Sequence, residues 1–323
     1  MKKIFFILCV ACTLFSCTKK DPAAVAPTDP WVKQGYLYNQ NGFAGMVMLR
    51  DTFVALYNEF SGPRFYMGSG KQSAGFYGED APVTVNNNAI VVFRACEDRI
   101  YVEAEGLWYS NDLARSWTQL TTDLPGFLSI SDIVAADAGV YLCANKIYFS
   151  SNKGANWTDI SMSGIVRANT LVGIDNTLIA SVWTSASGNT QVLYTSIDNG
   201  ANWTAVDPSS QMGQLPFYKF TVVDNVLYGM TFNDYSSDLY FSKDKGQNWT
   251  LCKGLNSIGN NSVSSVELYN GTLYAGTQLG VFKSVDNGKH WVYSGGGNDV
   301  WELITKGDAL YAVTPNGIWK IRL

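Results

Sequence analysis

An eight-residue motif, Ser-x-Asp-x-Gly-x-x-Trp, recurs along this chain and limits what the chain can fold into. Intact copies run over 196–203, 242–249 and 284–291. In the copy at 150–157, Asn152 stands in place of Asp, and in the copy at 110–117, Ala114 stands in place of Gly. The acidic or amide positions 112, 152, 198, 244 and 286 are 40, 46, 46 and 42 residues apart. A period of this size marks units that cannot bury their apolar faces alone and must stack on one another.

The stretch between motifs says what each unit is. Residues 263–294 hold four short runs rich in β-branched and aromatic residues, separated by Asn270-Gly271, Gln278-Leu279-Gly280 and Asp286-Asn287-Gly288. Such dipeptides and tripeptides are turn signals between strands. Four strands in about 42 residues is the size of a propeller blade. The same template fits 90–117, 130–157, 170–203 and 217–249. A blade without the motif precedes the first copy at 45–67. Three strands, at 300–304, 309–313 and 317–321, follow the last copy. The missing outer strand is expected from 32–38, at the other end of the chain, which would close the ring and remove an open sheet edge. The expected fold is therefore all-β: a single β-propeller of seven four-stranded blades over 31–323, with the N-terminal strand completing the last blade. Weak signals in the first blade leave six and eight blades open.

The motif resembles the Asp-box, or BNR, repeat found in sialidases, some glycoside hydrolases, sortilin-type receptors and photosystem-assembly propellers. The resemblance implies a structural role on the outer rim for Asp112, Trp117, Asn152, Trp157, Asp198, Trp203, Asp244, Trp249, Asp286 and Trp291. The chemistry agrees. A carboxylate or amide oxygen accepts backbone N–H groups of a turn, Gly supplies a backbone conformation other residues resist, and Trp buries a large ring between blades. Ala114 takes a positive φ only at an energetic cost, so the first of these turns is expected to be distorted.

The first thirty residues read as targeting. Met1-Lys2-Lys3 is a basic start and Ile4 to Phe15 an apolar stretch too short to span a bilayer. Leu14-Phe15-Ser16-Cys17 resembles a lipobox, which implies a signal peptide over 1–16 and a lipidated Cys17. Residues 17–30 are small, polar and Pro-rich, as in an extended tether. The expected location is the bacterial cell envelope, at the outer membrane, held by a lipid anchor rather than a spanning segment. Without Lys2 and Lys3 the chain carries 21 basic against 27 acidic side chains and no basic cluster, which excludes nucleic acid as a partner. Cys96, Cys143 and Cys252 are odd in number and far apart, as buried free thiols are. A monomer without cofactor or metal is expected. His290 is the only histidine and sits inside a motif copy, which argues against Ser-His-Asp catalysis and histidine-based metal sites.

Function is expected on the uneven loops of one face. These offer Tyr57, Trp183, Phe232, Tyr235 and Trp301, whose rings suit sugar faces or a protein surface. Carboxylates for a glycosidase would be Glu103 or Glu105 paired with Asp234 or Asp299. The resemblance to sialidases fails at the chemistry. No Arg-Ile-Pro motif occurs, the nearest sequence being Pro63-Arg64, and Arg50, Arg94, Arg99, Arg115, Arg167 and Arg322 show no triad context. Two readings follow: an envelope-anchored, non-catalytic propeller that binds a glycan or protein ligand, or a glycoside hydrolase of a propeller class. A third, an assembly factor with a protein partner, lacks the basic patch of that family.

Overall fold

Short β-branched and aromatic runs bounded by tight turns leave each strand only enough length to cross one layer, and 28 such strands assemble among the described residues. The structure, a computed structural model, describes residues 31–35, 43–50, 52–59, 62–68, 77–80, 92–96, 98–103, 106–120, 124, 130–184, 190–206, 217–232, 237–255 and 262–321. The proposed signal and tether, with Cys17, lie outside the described residues.

Strand β1 is Trp31–Gly35. Blade 1 holds β2 (Phe43–Leu49), β3 (Thr52–Glu59), β4 (Gly62–Gly68) and β5 (Tyr77–Asp80); blade 2 holds β6 (Val92–Cys96), β7 (Arg99–Glu103), β8 (Leu107–Ser110) and β9 (Thr118–Gln119). Blade 3 holds β10 (Asp132–Ala136), β11 (Gly139–Cys143), β12 (Ile147–Ser150) and β13 (Thr158–Asp159); blade 4 holds β14 (Ile165–Ile174), β15 (Thr177–Thr184), β16 (Thr190–Ser196) and β17 (Thr204–Val206). Blade 5 holds β18 (Phe217–Val223), β19 (Val226–Phe232), β20 (Ser237–Ser242) and β21 (Thr250–Leu251); blade 6 holds β22 (Val263–Tyr269), β23 (Thr272–Thr277), β24 (Gly280–Ser284) and β25 (Val292–Gly295). Blade 7 holds β26 (Glu302–Lys306), β27 (Ala309–Thr314) and β28 (Gly317–Ile321), and β1 pairs antiparallel with β28 as its fourth strand, Trp31 opposite Ile321. The molecule is thus a seven-bladed β-propeller closed by its first strand, as the repeat predicts.

Seven apolar clusters hold the ring together, one at each junction between blades. Met46, Phe53 and Tyr57 of blade 1 pack on Ile304, Tyr311 and Val313 of blade 7, and Trp31 joins Tyr269, Tyr274 and Val281 of blade 6 to Leu303 and Leu310 of blade 7. Hairpins between first and second strands are tight. Asp224 and Asn225 take φ of 49° and 58°, and Asn270 and Gly271 take 49° and 70°, the two-residue geometry that matches strand twist.

The five motif copies form one construction. In each, the Ser hydroxyl ends the third strand and donates to the Asp or Asn side chain at 2.7–2.9 Å. The same oxygen accepts the backbone N–H four residues on at 2.7–2.9 Å. The Asp or Asn oxygen accepts a further N–H at 2.8–2.9 Å. Each Trp then precedes the outer strand and packs toward the preceding blade, as Trp117 does on Phe65 at 4.7 Å. In blade 7, Trp31 stands at the start of the outer strand, donates to Ser294 Oγ at 3.3 Å and packs on blade 6 in the same manner.

The expectation of a distorted first turn is not met. Ala114 adopts φ 67° and keeps all three hydrogen bonds. The network overrides a local preference that disfavours this backbone by about 1–2 kcal/mol, and the methyl group is buried in the junction of blades 1 and 2. Blade 4 has no such room, because a Cβ on Gly200 would lie 2.4 Å from Ile160 Cδ1.

Candidate functional site

Each blade contributes its first strand to the wall of a central channel, and alternation along that strand sends every second side chain into it. A cavity of about 710 Å³ occupies the channel, lined by β2, β6, β18, β22, β26 and by Trp301 just before β26. Its chemistry divides by blade. Blade 1 supplies Gly45, Met46, Val47 and Met48, with no charge; blades 2, 5, 6 and 7 supply Arg94, Lys219, Glu267 and Glu302.

The charges are organised into relays between blades. Arg94 Nε lies 3.0 Å from Asp132 Oδ1 on β10, and Asp132 Oδ2 accepts the hydroxyl of Thr170 on β14 at 2.9 Å. These three residues are spaced 38 apart, one blade per step. Asp132 is buried, while about half of the Arg94 side chain (48%) faces the water of the channel. Loss of water lowers the affinity of Arg94 for its proton, but Asp132 and Glu302 more than offset this and raise it above the ordinary value. On the other side, Lys219 Nζ donates to the Ser264 carbonyl at 3.0 Å and to both Glu302 oxygens at 3.1 and 3.2 Å.

Glu267 is different. Its Oε2 accepts the Thr305 hydroxyl at 3.1 Å, one blade away, and among the described residues no ammonium or guanidinium is hydrogen-bonded to it. Burial is the main influence and pushes its carboxyl up to about 7; the Thr305 hydroxyl pulls it down, Glu302 adds to the rise and Lys219 counters it. Among the described residues no group of three or more His, Cys, Asp or Glu gathers as a metal site would require.

The residues expected from the loops are placed less uniformly. Trp301 lines the cavity, partly buried at the face where the inner strands begin. Tyr57 is 1% exposed and packs edge-on to Tyr66 at 5.0 Å in the junction of blades 7 and 1, so its ring offers no surface. Trp183 is half-buried near the end of β15, between Arg167 and Gln191 in register. Phe232 ends β19, and its side chain, with Tyr235, Asp234 and Glu105, lies outside the described residues. Glu103 ends β7, one strand out from the channel, and burial raises its carboxyl above the usual range. Asp299 is exposed, with φ 53° and its N–H bonded to the Gln278 carbonyl at 2.7 Å. Neither Glu103 nor Asp299 lines the cavity.

The sequence reading missed Arg94, Asp132, Lys219, Glu267 and Glu302. Their signal is a charged residue in the first, otherwise apolar run of a repeat unit. Alignment of the units on their motifs brings these positions onto one inner strand after another.

Residues 70–223 match the family model described as the DUF6242 beta propeller domain. The match covers less than half of the chain, and it is the fold that makes the chain a propeller. No curated protein matches its sequence. Among solved structures it is similar to the extracellular domain of the putative hybrid two component system BT4673 from B. thetaiotaomicron (TM-score 0.65, 16% identity, 91% of this chain and 39% of that one). It is also similar to YCF48 bound to D1 peptide (TM-score 0.63, 14% identity, 92% and 98%). A third is the Niastella koreensis GH74 enzyme (TM-score 0.55, 17% identity, 88% and 43%). The chain spans about two fifths of the first and third of these proteins. At such identities the likeness speaks to fold alone.

Proposed function

We propose that this chain is a non-catalytic binding propeller of the Asp-box type, held on the bacterial cell envelope through Cys17, that takes a glycan or protein ligand at the face where Trp301 borders the channel. The observation that carries this reading is the cavity of about 710 Å³ whose Arg94 and Lys219 are already held by Asp132 and Glu302. A pocket of this size with few fixed polar groups suits recognition, and carboxylates bound to cations are poorly placed to trade protons with a substrate.

Topology supports the orientation. The motif turns and Trp31 share the face opposite to Trp301, because Trp31 pairs with Ile321 at the far end of β28. A tether that leaves from Trp31 toward an outer-membrane anchor turns the Trp301 face away from the membrane. The BT4673 relative is described as an extracellular domain, and the YCF48 relative as bound to a peptide; both descriptions agree with an exported, ligand-binding propeller. We take the molecule as a monomer with no affinity for nucleic acid.

The test is a glycan array and an envelope-extract capture with the purified chain, followed by an assay for released sugar on every ligand found. Binding without turnover, weakened by Trp301→Ala, supports the reading. Glycoside hydrolysis is the second reading, favoured by one observation: Glu267, near 7, neighbours Glu302 on the next inner strand, as an acid and a base would. Sugar release abolished by Glu267→Gln or Glu302→Gln would replace the first reading with the second.

A further inference from the structure

We propose that the central channel receives an alkylammonium group, a positively charged primary amine on an apolar stem, and that Glu267 is the carboxylate that meets it. The proposal rests on the binding reading above and names the chemistry of the ligand.

The argument starts from the charges that surround the cavity. Arg94 and Lys219 are the cations of its wall and Glu302 and Glu267 the carboxylates; Asp132, which does not line it, pairs with Arg94. Arg94 is engaged by Asp132, and Lys219 by Glu302 and the Ser264 carbonyl. Glu267 is left with a neutral hydroxyl as its hydrogen-bond partner, that of Thr305. With Glu267 ionised, the group carries one more negative charge than positive. One monocation balances it. An anion would enlarge the surplus, and a neutral sugar would leave the half-buried carboxylate without a counter-charge of its own, which is disfavoured.

Three further features select an alkylammonium among cations. Glu267 already accepts from Thr305 through Oε2, so a single-point donor fits the remaining oxygen better than a two-pronged guanidinium does. The blade 1 wall of Met46 and Met48, with Trp301 beside it, is apolar and suits a methylene stem. The face of an indole also attracts a passing ammonium. A metal ion is a poor fit, because among the described residues no three ligating groups converge.

Protonation of Glu267 then competes with the ligand. The groups that face it are Thr305 and Glu302 on β26 and Lys219 on β18, while Arg94 faces Glu302 across the channel. Because the Glu267 carboxyl lies up at about 7, the ionised fraction rises from about one tenth at pH 6 to about nine tenths at pH 8.

The test is calorimetric titration of the full chain with n-pentylamine, Nα-acetyl-lysine amide and n-pentanol at pH 6 and pH 8. Both amines are expected to bind, roughly tenfold more tightly at pH 8, with no binding of pentanol. Glu267→Gln should reduce amine binding and remove its pH dependence. Tighter binding of the lysine derivative assigns the site to a protein side chain, and equal binding assigns it to a free amine; both sustain the ammonium. Amine and pentanol binding alike, amine affinity independent of pH, or no binding at all would overturn it. If Glu267→Gln does not fold, the pentanol contrast and the pH profile of the native chain still decide. A failure here leaves ligand capture at the Trp301 face to be judged by the array.

Discussion

Lys219 and Glu302 are 83 residues and two blades apart, yet the ammonium of one donates to both carboxylate oxygens of the other at 3.1 and 3.2 Å. The pair bridges past blade 6 along the channel wall. About a third of each side chain is exposed, 30% and 37%, so water screens their attraction in part. A double-mutant cycle with Lys219→Met and Glu302→Gln is expected to give a coupling of about 1 kcal/mol in denaturant unfolding. A coupling near zero would remove the pair from the interactions that hold the ring.

The motif turns differ in how much side chain they accept. Gly200→Ala places a methyl against Ile160 at a φ of 90° and should destabilise by about 2 kcal/mol. Ala114→Gly relieves strain but empties a buried methyl site, two effects of similar size, so its stability should stay within about 0.5 kcal/mol of native. Equal effects of the two substitutions would show that the room at Ala114 is not what permits alanine there.

The Ser hydroxyl is the hub of each motif turn. Ser196→Ala leaves the N–H of Gly200 and the Asp198 carboxylate without their shared partner, and should cost about 1–2 kcal/mol. Thermal unfolding of the variant measures this, and an unchanged midpoint would refute it.

Glu267 links stability to pH. The unfolded chain releases this proton near 4.5 and the folded chain holds it to about 7. Between these values the folded state binds more protons, so its stability falls as pH rises and levels off above the window. Glu267→Gln should therefore gain on the native chain across pH 4.5–7, by on the order of 2 °C in Tm. A difference that stays constant with pH would contradict the desolvated setting of this half-buried carboxyl.

Trp31 is 4% exposed between blades 6 and 7. Trp31→Ala should destabilise by about 3 kcal/mol, and deletion of 31–35 should uncover the edge of β28 and promote aggregation. Light scattering and denaturant titration read the two effects.

The fold was legible because the motif carries its own geometry. Asp198, Asp244 and Asp286 organise turns through local hydrogen bonds, so their spacing translates directly into blades. Even the closing strand was legible, since the three strands that follow β25 leave a place in blade 7 that the strand at Trp31 fills. The channel was not, because Arg94 with Asp132, and Lys219 with Glu302, meet only after the ring forms. Nothing within a few residues of Lys219 points to Glu302. Aromatics were misleading for the opposite reason: Tyr57 lies near the end of β3, but the neighbouring blade covers it.

The pairing of Trp31 with Ile321 also fixes an order of events. Their separation is 290 residues, and at ordinary synthesis rates the second follows the first by roughly 15 to 60 s. Blades 2 to 6 can dock on one another as they appear, each needing only its neighbour. Blade 7 has nothing to finish it until β28 is made and β1, made long before, swings in. The ring therefore latches late and all at once, and a chain cut short anywhere before β28 should stay an open arc.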